Sequence, residues 1–304
     1  MSEIPVPDAE DATGVFVEHR ELLFGVVYNM LGGIADTEDV LQDTWLSWSR
    51  RGTGGIDNPR AYLVRIAVNH ALQRRAVVNR RRETYVGPWL PEPLVTDEAP
   101  GADGPALRTE SVSLAMLVVL ESLSPLERAV FVLHEVFGYA HTEVAEIIDR
   151  APAAVRQLAH RARAHVHARR PLYEAHPRVR REATERFVRA AVGGDIAELM
   201  EILAPDVTVW TDGGGMRKQA LRPVHGREKA ARLLTGYAKR GGAQHLDLEL
   251  RYRRVNGDDA AVLFEQGSPY AVIVLDLTRE GDRVSGLFIV TNPDKLTHVQ
   301  KEEA

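Results

Sequence analysis

Two arginine-rich segments stand out in a chain that is acidic overall. Residues 60–82 contain seven arginines, and residues 151–170 contain five arginines and three histidines, with no acidic residue in either segment. The formal net charge of the whole chain is −5. Guanidinium groups bind phosphate oxygens and, in a major groove, the edges of bases. The two segments therefore predict two surfaces that face nucleic acid, and a solvated helix face is the alternative for either segment alone.

Acidic residues gather at the start of the chain. Residues 1–50 hold ten acidic residues and only two arginines. A helix is predicted from about Asp36, because apolar residues recur at helical spacing up to Trp48. Its opposite side carries Asp36, Glu38, Asp39 and Gln42. Taken alone, this pattern is typical of a solvated helix face with Asp36 as its N-cap.

Length and composition exclude several classes of protein. The 304 residues predict two or three domains. No apolar run reaches the ~18–20 residues of a membrane span, and the acidic N-terminus does not resemble a secretory signal. We therefore expect a cytoplasmic protein with no membrane partner. The absence of cysteine excludes disulfides, thiolate metal sites and cysteine catalysis, and the spacing of His160, His165 and His167 scatters them around a helix, which predicts no metal site.

The helical signals divide the first half of the chain into two blocks. In the first, Gly32 and Gly33 end one helix, and Asn58 with Pro59 opens a long helix that reaches Arg82. In the second, residues 124–127 form a capping box. A short helix over residues 141–148, a turn at 149–151 and a longer basic helix from Pro152 match the helix-turn-helix pattern.

The rest of the chain has a different character. Residues 83–108 are rich in proline, glycine and acids, which is typical of a linker. The linker nevertheless contains Tyr85, Trp89 and Leu90, so we expect another part of the chain to cover this segment. Beyond residue 178, helical patterns precede alternating strands from Leu246 onward, with hairpin turns at residues 256–257 and 280–282. An α+β domain with a curved antiparallel sheet is predicted there.

Three stretches in this order and spacing resemble an extracytoplasmic-function (ECF) sigma factor of bacterial RNA polymerase. Residues 36–45 resemble the helix of sigma region 2 that binds the polymerase clamp, and residues 59–69 resemble the helix that engages the −10 element. The helix-turn-helix at 141–168 corresponds to region 4, which reads the −35 element. Residues 89–93, 212–215 and 292–296 resemble signatures of the ECF group that carries a SnoaL-like C-terminal extension.

The resemblance implies a multidomain fold of two all-α domains and a C-terminal α+β cone. The implied domains are region 2 at 1–82, a linker at 83–108, region 4 with its helix-turn-helix at 109–171, and the SnoaL-like domain at 178–304. The last has the cone-shaped fold of polyketide cyclases and ketosteroid isomerase. The implied partners are core RNA polymerase and promoter DNA, with no cofactor and no catalytic residue.

The resemblance also implies roles for individual residues. Asp36, Glu38, Asp39 and Gln42 would bind polymerase. Tyr62 would stack at the edge of the opened duplex, and Asn69 would line a pocket for an extruded base together with the loop at 52–58. The phosphates of the DNA backbone would be contacted by Arg74, Arg75 and Arg80 to Arg82. The −35 element would be contacted by Arg156, Gln157, His160, Arg161 and Arg163, and the sequence leaves open which of them reach base edges and which reach phosphates.

In this group the extension stands in for a separate anti-sigma factor and modulates activity from within the chain. The implied regulatory residues are Trp89, Leu90, Pro91, Glu92, Pro93, Asp212, Gly213, Gly214, Gly215, Asn292, Pro293, Asp294, Lys295 and Leu296. We hypothesise that the segment around Trp89 packs against the C-terminal domain and fixes the separation of the two DNA-reading domains.

Two alternatives stay open at this stage. One is a cyclase or isomerase fused to a DNA-binding module, with Trp210, Asp212 and His225 as pocket residues. The other is a conventional transcription regulator that acts without polymerase. Because Asp212 lies in a glycine-rich turn, where a carboxylate normally bonds local amides, a regulatory domain is favoured. A small-molecule ligand of that domain is left open.

Overall fold

The computed structural model describes residues 9–51, 54–96, 112–169, 176–241 and 248–299. These residues form two compact units. The first unit holds the described residues up to Glu83, Val112 and those from Val119 onward to Arg169, so it includes parts of both predicted helical domains. The second holds the described residues from Thr84 to Thr96, Ser113 to Val118, and all those from His176 onward. The linker segment therefore belongs to the unit of the C-terminal domain.

Three long helices begin the first unit. They are α1 (Ala9–Leu31), α2 (Ile34–Arg51) and α3 (Pro59–Glu83). Gly32 separates α1 from α2 with φ of 74°, and α2 begins two residues before the expected Asp36. The N-cap of α3 is as predicted, because Asn58 Oδ1 accepts a hydrogen bond of 3.0 Å from the amide of Ala61.

The helix-turn-helix lies in the same unit. The elements are α4 (Leu114–Leu120), α5 (Pro125–Phe131), a π-helical turn (Val132–Val136), α6 (His141–Ile147) and α7 (Pro152–Arg169). The predicted capping box is present at α5, with Ser124 and Glu127 bonding each other's backbone amides. The turn between α6 and α7 lacks the usual glycine, and Asp149 takes the left-handed conformation with φ of 52°, which aspartate tolerates better than most residues.

The second unit is built on one seven-stranded sheet. Its helices are α8 (Pro177–Gly193), α9 (Ile196–Ile202) and α10 (Arg227–Gly241). Its strands are β1 (Val95–Thr96), β2 (Leu203–Asp212), β3 (Val224–His225), β4 (Leu248–Val255), β5 (Asp258–Glu265), β6 (Ser268–Leu277) and β7 (Val284–Val290), followed by a 3₁₀ turn (Pro293–Lys295). The strand order is β1-β4-β5-β6-β7-β2-β3.

The sheet departs from the prediction in two respects. Strands β2 and β7 pair in parallel, with Asp212 opposite Val290, whereas a purely antiparallel sheet was expected. The long connection through α10 and two hairpins leaves β2 free to pair in either direction. The linker also supplies the edge strand β1, in which Val95 pairs with Val255. Leu246, the first residue of the predicted alternation, lies outside the described residues.

Alternate residues of the strands face two separate cores. One face packs against α8, α9 and α10 through residues such as Leu199, Ala261 and Ile289. The opposite face packs around Phe264 and Phe288, and the linker residue Leu90 is fully buried in this second core. The linker is therefore part of the packing of the sheet. Among the described residues, no helix combines the length and the apolar content needed to cross a membrane.

Candidate functional site

The acidic face of α2 is paired with arginines of its own unit. Asp36 accepts a hydrogen bond of 2.7 Å from Nε of Arg74, and Asp39 accepts one of 2.5 Å from the same guanidinium. Glu38 pairs with Arg20 at 2.7 Å. Gln42, the fourth member of the predicted set, is exposed. One arginine predicted to contact DNA therefore neutralises two acids predicted to contact polymerase.

Tyr62 and Asn69, the two predicted promoter-opening residues, lie one above the other on α3. The ring of Tyr62 lies 5.9 Å from that of Trp48 and is half-buried. The side-chain amide of Asn69 donates to the carbonyl of Arg65 at 2.8 Å and to the carbonyl of Ile147, the last residue of α6, at 3.4 Å. The helix-turn-helix thus occupies the space in front of Asn69. Residues 52 and 53 of the predicted pocket loop lie outside the described residues.

Arg75 requires a correction. It was expected to follow DNA phosphates, but only 4% of it is exposed. Its guanidinium donates to the carbonyls of Met30 and Leu31 and pairs with Glu121 at 2.6 Å. Burial lowers the pKa of Arg75 to about 10. A guanidinium at this depth does not reach a phosphate, so the structure gives Arg75 a packing role.

Glu121 is the centre of an ion cluster that sequence reasoning missed. Its carboxylate binds three arginines, Arg75 and Arg82 from α3 and Arg128 from α5. Burial, together with the charges of Arg75 and Arg128, lowers the pKa of Arg82 to about 8. Arg128 also donates to the carbonyl of Asn29 at 2.8 Å. We call Glu121, Arg75, Arg82 and Arg128 the Glu121 cluster. It joins α3 to α5, the helix that comes shortly before the helix-turn-helix.

The recognition helix α7 has a buried face and an exposed face. Val155, Ala159, Ala162 and Val166 are buried, and the five predicted reading residues are all exposed. Arg161 is held by Glu127 at 2.8 Å and Arg163 by Glu135 at 2.6 Å. The Arg161 hydrogen bond holds the pKa of Glu127 below its usual value. Within the described residues, no group of three or more acidic or histidine side chains could hold a metal ion.

The three predicted regulatory segments meet at the carboxylate of Asp212, which is 1% exposed. One carboxylate oxygen accepts the hydroxyl of Tyr85 at 2.5 Å and the amide of Gly214 at 3.2 Å. The other accepts the amide of Leu90 at 2.8 Å and Nζ of Lys295 at 2.7 Å. We call this set, with Trp89 and Asn292, the linker clamp.

Lys295 and Asn292 complete the linker clamp. Nζ of Lys295 donates to the carbonyl of Leu90 at 2.5 Å and lies 4.1 Å from the ring centroid of Trp89. The amide of Asn292 donates to the hydroxyl of Tyr85 at 2.7 Å. Burial and the Asp212 carboxylate raise the pKa of Tyr85. Every charged group of the clamp therefore has an opposite charge or a polar partner.

The glycine-rich turn makes this close approach possible. Gly214 has φ of 61°, and a Cβ atom there would lie 2.5 Å from the amide nitrogen of Asn292. A Cβ atom on Gly213 would lie 2.6 Å from the carbonyl oxygen of Arg217. A side chain at either position would push the turn away from the clamp. The other segment residues serve in packing: Pro91, Glu92, Pro93 and Leu296 are buried, whereas Asp294 is exposed.

The second unit also has a partly open cavity of about 900 Å³ on the helix-covered side of its sheet. Its walls include Phe187, Leu234 and Ile289 with Arg217 and Gln219. The three residues expected in an enzyme pocket do not line it. Trp210 stacks on Phe288 at 4.8 Å on the other face of the sheet, and His225 bonds Thr208. Asp212 is saturated with hydrogen-bond donors in the clamp, so its carboxylate is not placed to abstract a proton.

Known proteins match the chain over nearly its whole length. Residues 15–82 match Sigma-70 region 2, residues 113–166 match Sigma-70 region 4, and residues 184–294 match the SnoaL-like domain. The ECF RNA polymerase sigma factor SigJ of Mycobacterium tuberculosis (strain ATCC 25618 / H37Rv) is 36% identical over 292 residues, which are 91% of each chain. The probable ECF RNA polymerase sigma factor SigI of Mycobacterium tuberculosis (strain CDC 1551 / Oshkosh) is 29% identical over 93% of this chain and 94% of its own.

A solved structure agrees with these matches. The crystal structure of the Mycobacterium tuberculosis extracytoplasmic function sigma factor SigJ aligns with a TM-score of 0.73 at 33% identity. The alignment covers 94% of this chain and 98% of the other.

Proposed function

The chain belongs to the extracytoplasmic-function sigma factors of RNA polymerase, and from this premise we propose how its residues divide the work of promoter recognition. It is a transcription initiation factor that directs core RNA polymerase to promoters, and it is not an enzyme. We place it in the cytoplasm, where core polymerase and promoter DNA are found.

The α2 face binds core polymerase in this proposal. Glu38, Asp39 and Gln42 are at least partly exposed, and the acids face outward with their arginine partners at the rim. A basic partner surface would compete with Arg20 and Arg74 for these carboxylates. Exposed ion pairs of this kind contribute only ~0.2–1 kcal/mol, so the exchange costs little.

Promoter DNA is bound by α3 and α7. Tyr62 and Asn69 act on the opened −10 element, and Arg156, Gln157 and His160 read −35 base edges from the exposed side of α7. Arg80 and Arg81, both exposed at the end of α3, follow phosphates. Arg161 and Arg163 join them when DNA phosphates replace Glu127 and Glu135. Because α6 lies against Asn69, α6 must move away from α3 before Asn69 can hold a base.

The C-terminal domain modulates this opening through the linker clamp. The single observation that carries the proposal is the convergence of Tyr85, Leu90 and Lys295 on Asp212. The clamp holds part of the segment that connects α3 to α4 and so shortens the free length of this tether. A shorter tether raises the effective concentration of one DNA-binding domain near the other. Release of the linker therefore favours the open arrangement and raises promoter binding.

A small molecule in the cavity would act on the same clamp. The side-chain amide of Gln219, on the cavity wall, donates to Oγ1 of Thr291 at 3.1 Å. Thr291 Oγ1 in turn donates to the carbonyl of Asp212 at 3.2 Å. A ligand that displaces Gln219 would therefore displace Asp212, whose carboxylate binds the linker.

Run-off transcription with purified core polymerase tests the proposal. The full-length protein should bind core polymerase and start RNA chains from a bacterial promoter template, and Lys295→Met should raise the yield because it weakens the clamp. Lys229→Met, an exposed change on α10, should leave the yield unchanged. If no bacterial template gives a transcript, the assignment as a sigma factor is contradicted. If wild type and Lys295→Met give equal yields, modulation by the linker clamp is contradicted.

A further inference from the structure

The cavity in the second unit is shaped for a mostly apolar molecule. Apolar side chains from α8, α10 and the sheet form most of its walls, among them Phe187, Leu234, Ile273 and Ile289. Its volume of about 900 Å³ lies within the ~300–1,000 Å³ typical of small-molecule sites. An apolar molecule of that size would find mostly apolar walls there.

One cation on the wall is held in a defined position. Nη1 of Arg217 donates to the carbonyl of Tyr270 at 2.9 Å, and its guanidinium carbon lies 4.1 Å from the centroid of the Tyr270 ring. The backbone amide of Arg217 donates to the carbonyl of Gly213 at 3.2 Å. Stacking and hydrogen bonding therefore orient the guanidinium plane before any ligand arrives, which lowers the entropic cost of binding.

The charge balance of the cavity wall favours an anion. The charged lining residues are Arg217, Lys218 and Glu265, which leaves one positive charge in excess. No carboxylate of the described residues forms an ion pair with Arg217. A planar guanidinium with its fork of donors binds a carboxylate through two parallel hydrogen bonds, and the single charge of a carboxylate balances the one excess positive charge of the wall.

We propose that this cavity binds an apolar monocarboxylate, with its chain among the apolar walls and its carboxylate on Arg217. The proposal deepens the proposed function, on which it rests, because it names the chemical class of the molecule that the C-terminal domain senses. Binding can be measured without polymerase or DNA, so its result is independent of the transcription assay.

Isothermal titration of the full-length protein with octanoate, dodecanoate and 1-dodecanol tests the site. Dodecanoate should bind at least about tenfold more tightly than 1-dodecanol, a difference of about 1.4 kcal/mol, which is at the low end for hydrogen bonds to a charged group. Arg217→Gln should bring the two affinities together, and Arg217→Lys should keep part of the preference. Arg222→Gln, at an exposed position of the same loop that does not line the cavity, should change nothing.

A second variant locates the binding. Ala191→Trp on α8 places a large ring in the half-buried cavity wall and should weaken both dodecanoate and 1-dodecanol. Circular dichroism confirms that each variant is folded. The proposal is overturned if acid and alcohol bind equally, if neither carboxylate binds, if Arg217→Gln keeps the preference, or if folded Ala191→Trp binds dodecanoate as wild type does.

Discussion

The carboxylate of Asp212 accepts the backbone amide of Leu90 at 2.8 Å, across 122 positions of the chain. The bond ties the linker to the end of β2. Lys295 offsets the buried negative charge, and its own ammonium is shared between Asp212 and the carbonyl of Leu90. A buried carboxylate that lost this cation would be strongly destabilising. Charge pairing and linker docking are therefore one structural event.

Asp212→Asn should release the linker. The asparagine amide keeps the size of the carboxylate but cannot neutralise the ammonium of Lys295. Both carboxylate oxygens accept hydrogen bonds in the wild type, so the amide nitrogen would face hydrogen-bond donors instead of acceptors. Breaking a buried pair of this kind costs ~3–5 kcal/mol, so the free energy of unfolding should fall by about 3 kcal/mol in urea denaturation. Protease cleavage within residues 84–96 should also become faster. Asp206→Asn, exposed on the same strand, should change stability by less than ~0.5 kcal/mol.

Ionisation of the Tyr85 hydroxyl makes the free energy of unfolding depend on pH in the alkaline range. Its pKa is raised in the folded protein by burial and by Asp212, whereas an unfolded tyrosine loses its proton near pH ~10. The unfolded state therefore binds fewer protons above that pH, and stability should fall as pH rises, by less than ~1.4 kcal/mol per unit. Comparing urea unfolding of wild type and Tyr85→Phe between pH 8 and about 11 isolates this effect, because all other titrating groups are common to both proteins. A slope that Tyr85→Phe leaves unchanged would refute it.

Trp89→Ala should loosen the docked linker. The ring of Trp89 faces the ammonium of Lys295, and a desolvated cation–π contact contributes ~0.5–2 kcal/mol. The variant should show a larger radius of gyration in solution scattering and faster proteolysis of the linker. Trp89→Phe keeps an aromatic face and should lie between wild type and alanine. Scattering and proteolysis profiles of Trp89→Ala that match wild type would rule out the docking role of the ring.

Local signals in the sequence predicted local structure well. The capping box at Ser124, the N-cap at Asn58 and the hairpin at Asn256 each depend on neighbouring residues, and each is present in the structure. The turn before α7 was located without its glycine, and Asp149 explains why it folds.

Features that depend on distant residues could not be predicted in the same way. In the sequence, nothing distinguishes Glu121 from other acidic residues that precede a helix N-cap. Its ion pairs with Arg75 and Arg82 form only because the fold brings these distant residues together. The periodicity of α3 could not show that Arg75 faces inward while Arg74 faces the acids of α2. The strand β1 comprises only two residues, too few to give a period. The family resemblance identified the three segments that contain Leu90, Asp212 and Lys295, but only the structure shows that these residues bind one another.

Arg156→Ala should weaken binding to the −35 element selectively. A bidentate contact to a base edge contributes ~1–3 kcal/mol of discrimination, so affinity for a cognate promoter should fall roughly 5- to 150-fold. On a template with altered −35 bases the variant and wild type should bind alike. A uniform loss on all templates, with a smaller salt dependence, would instead mark Arg156 as a phosphate contact. Arg189→Ala, an exposed arginine of the C-terminal unit, is the matched control.

Glu121→Gln should open the first unit. The glutamine keeps the shape of the side chain but leaves two buried guanidiniums, Arg75 and Arg128, and the partly buried Arg82 without their carboxylate. Loss of one partner of a buried ion cluster costs ~3–5 kcal/mol. Because the cluster joins α3 to α5, its loss should also separate α6 from Asn69. We therefore expect lower stability in urea together with tighter promoter binding, measured by fluorescence anisotropy.

Two controls separate opening from general destabilisation. Glu228→Gln removes an exposed pair with Arg232 on α10, where the two side chains are 79% and 70% exposed, and should cost ~1 kcal/mol or less without tightening promoter binding. Arg82→Gln removes one of three crowded positive charges and should cost less than Glu121→Gln, because burial and repulsion from Arg75 and Arg128 already lower the pKa of Arg82. If Glu121→Gln lowers stability yet binds promoter DNA no more tightly than Glu228→Gln, the cluster stabilises the fold without holding α6 against α3.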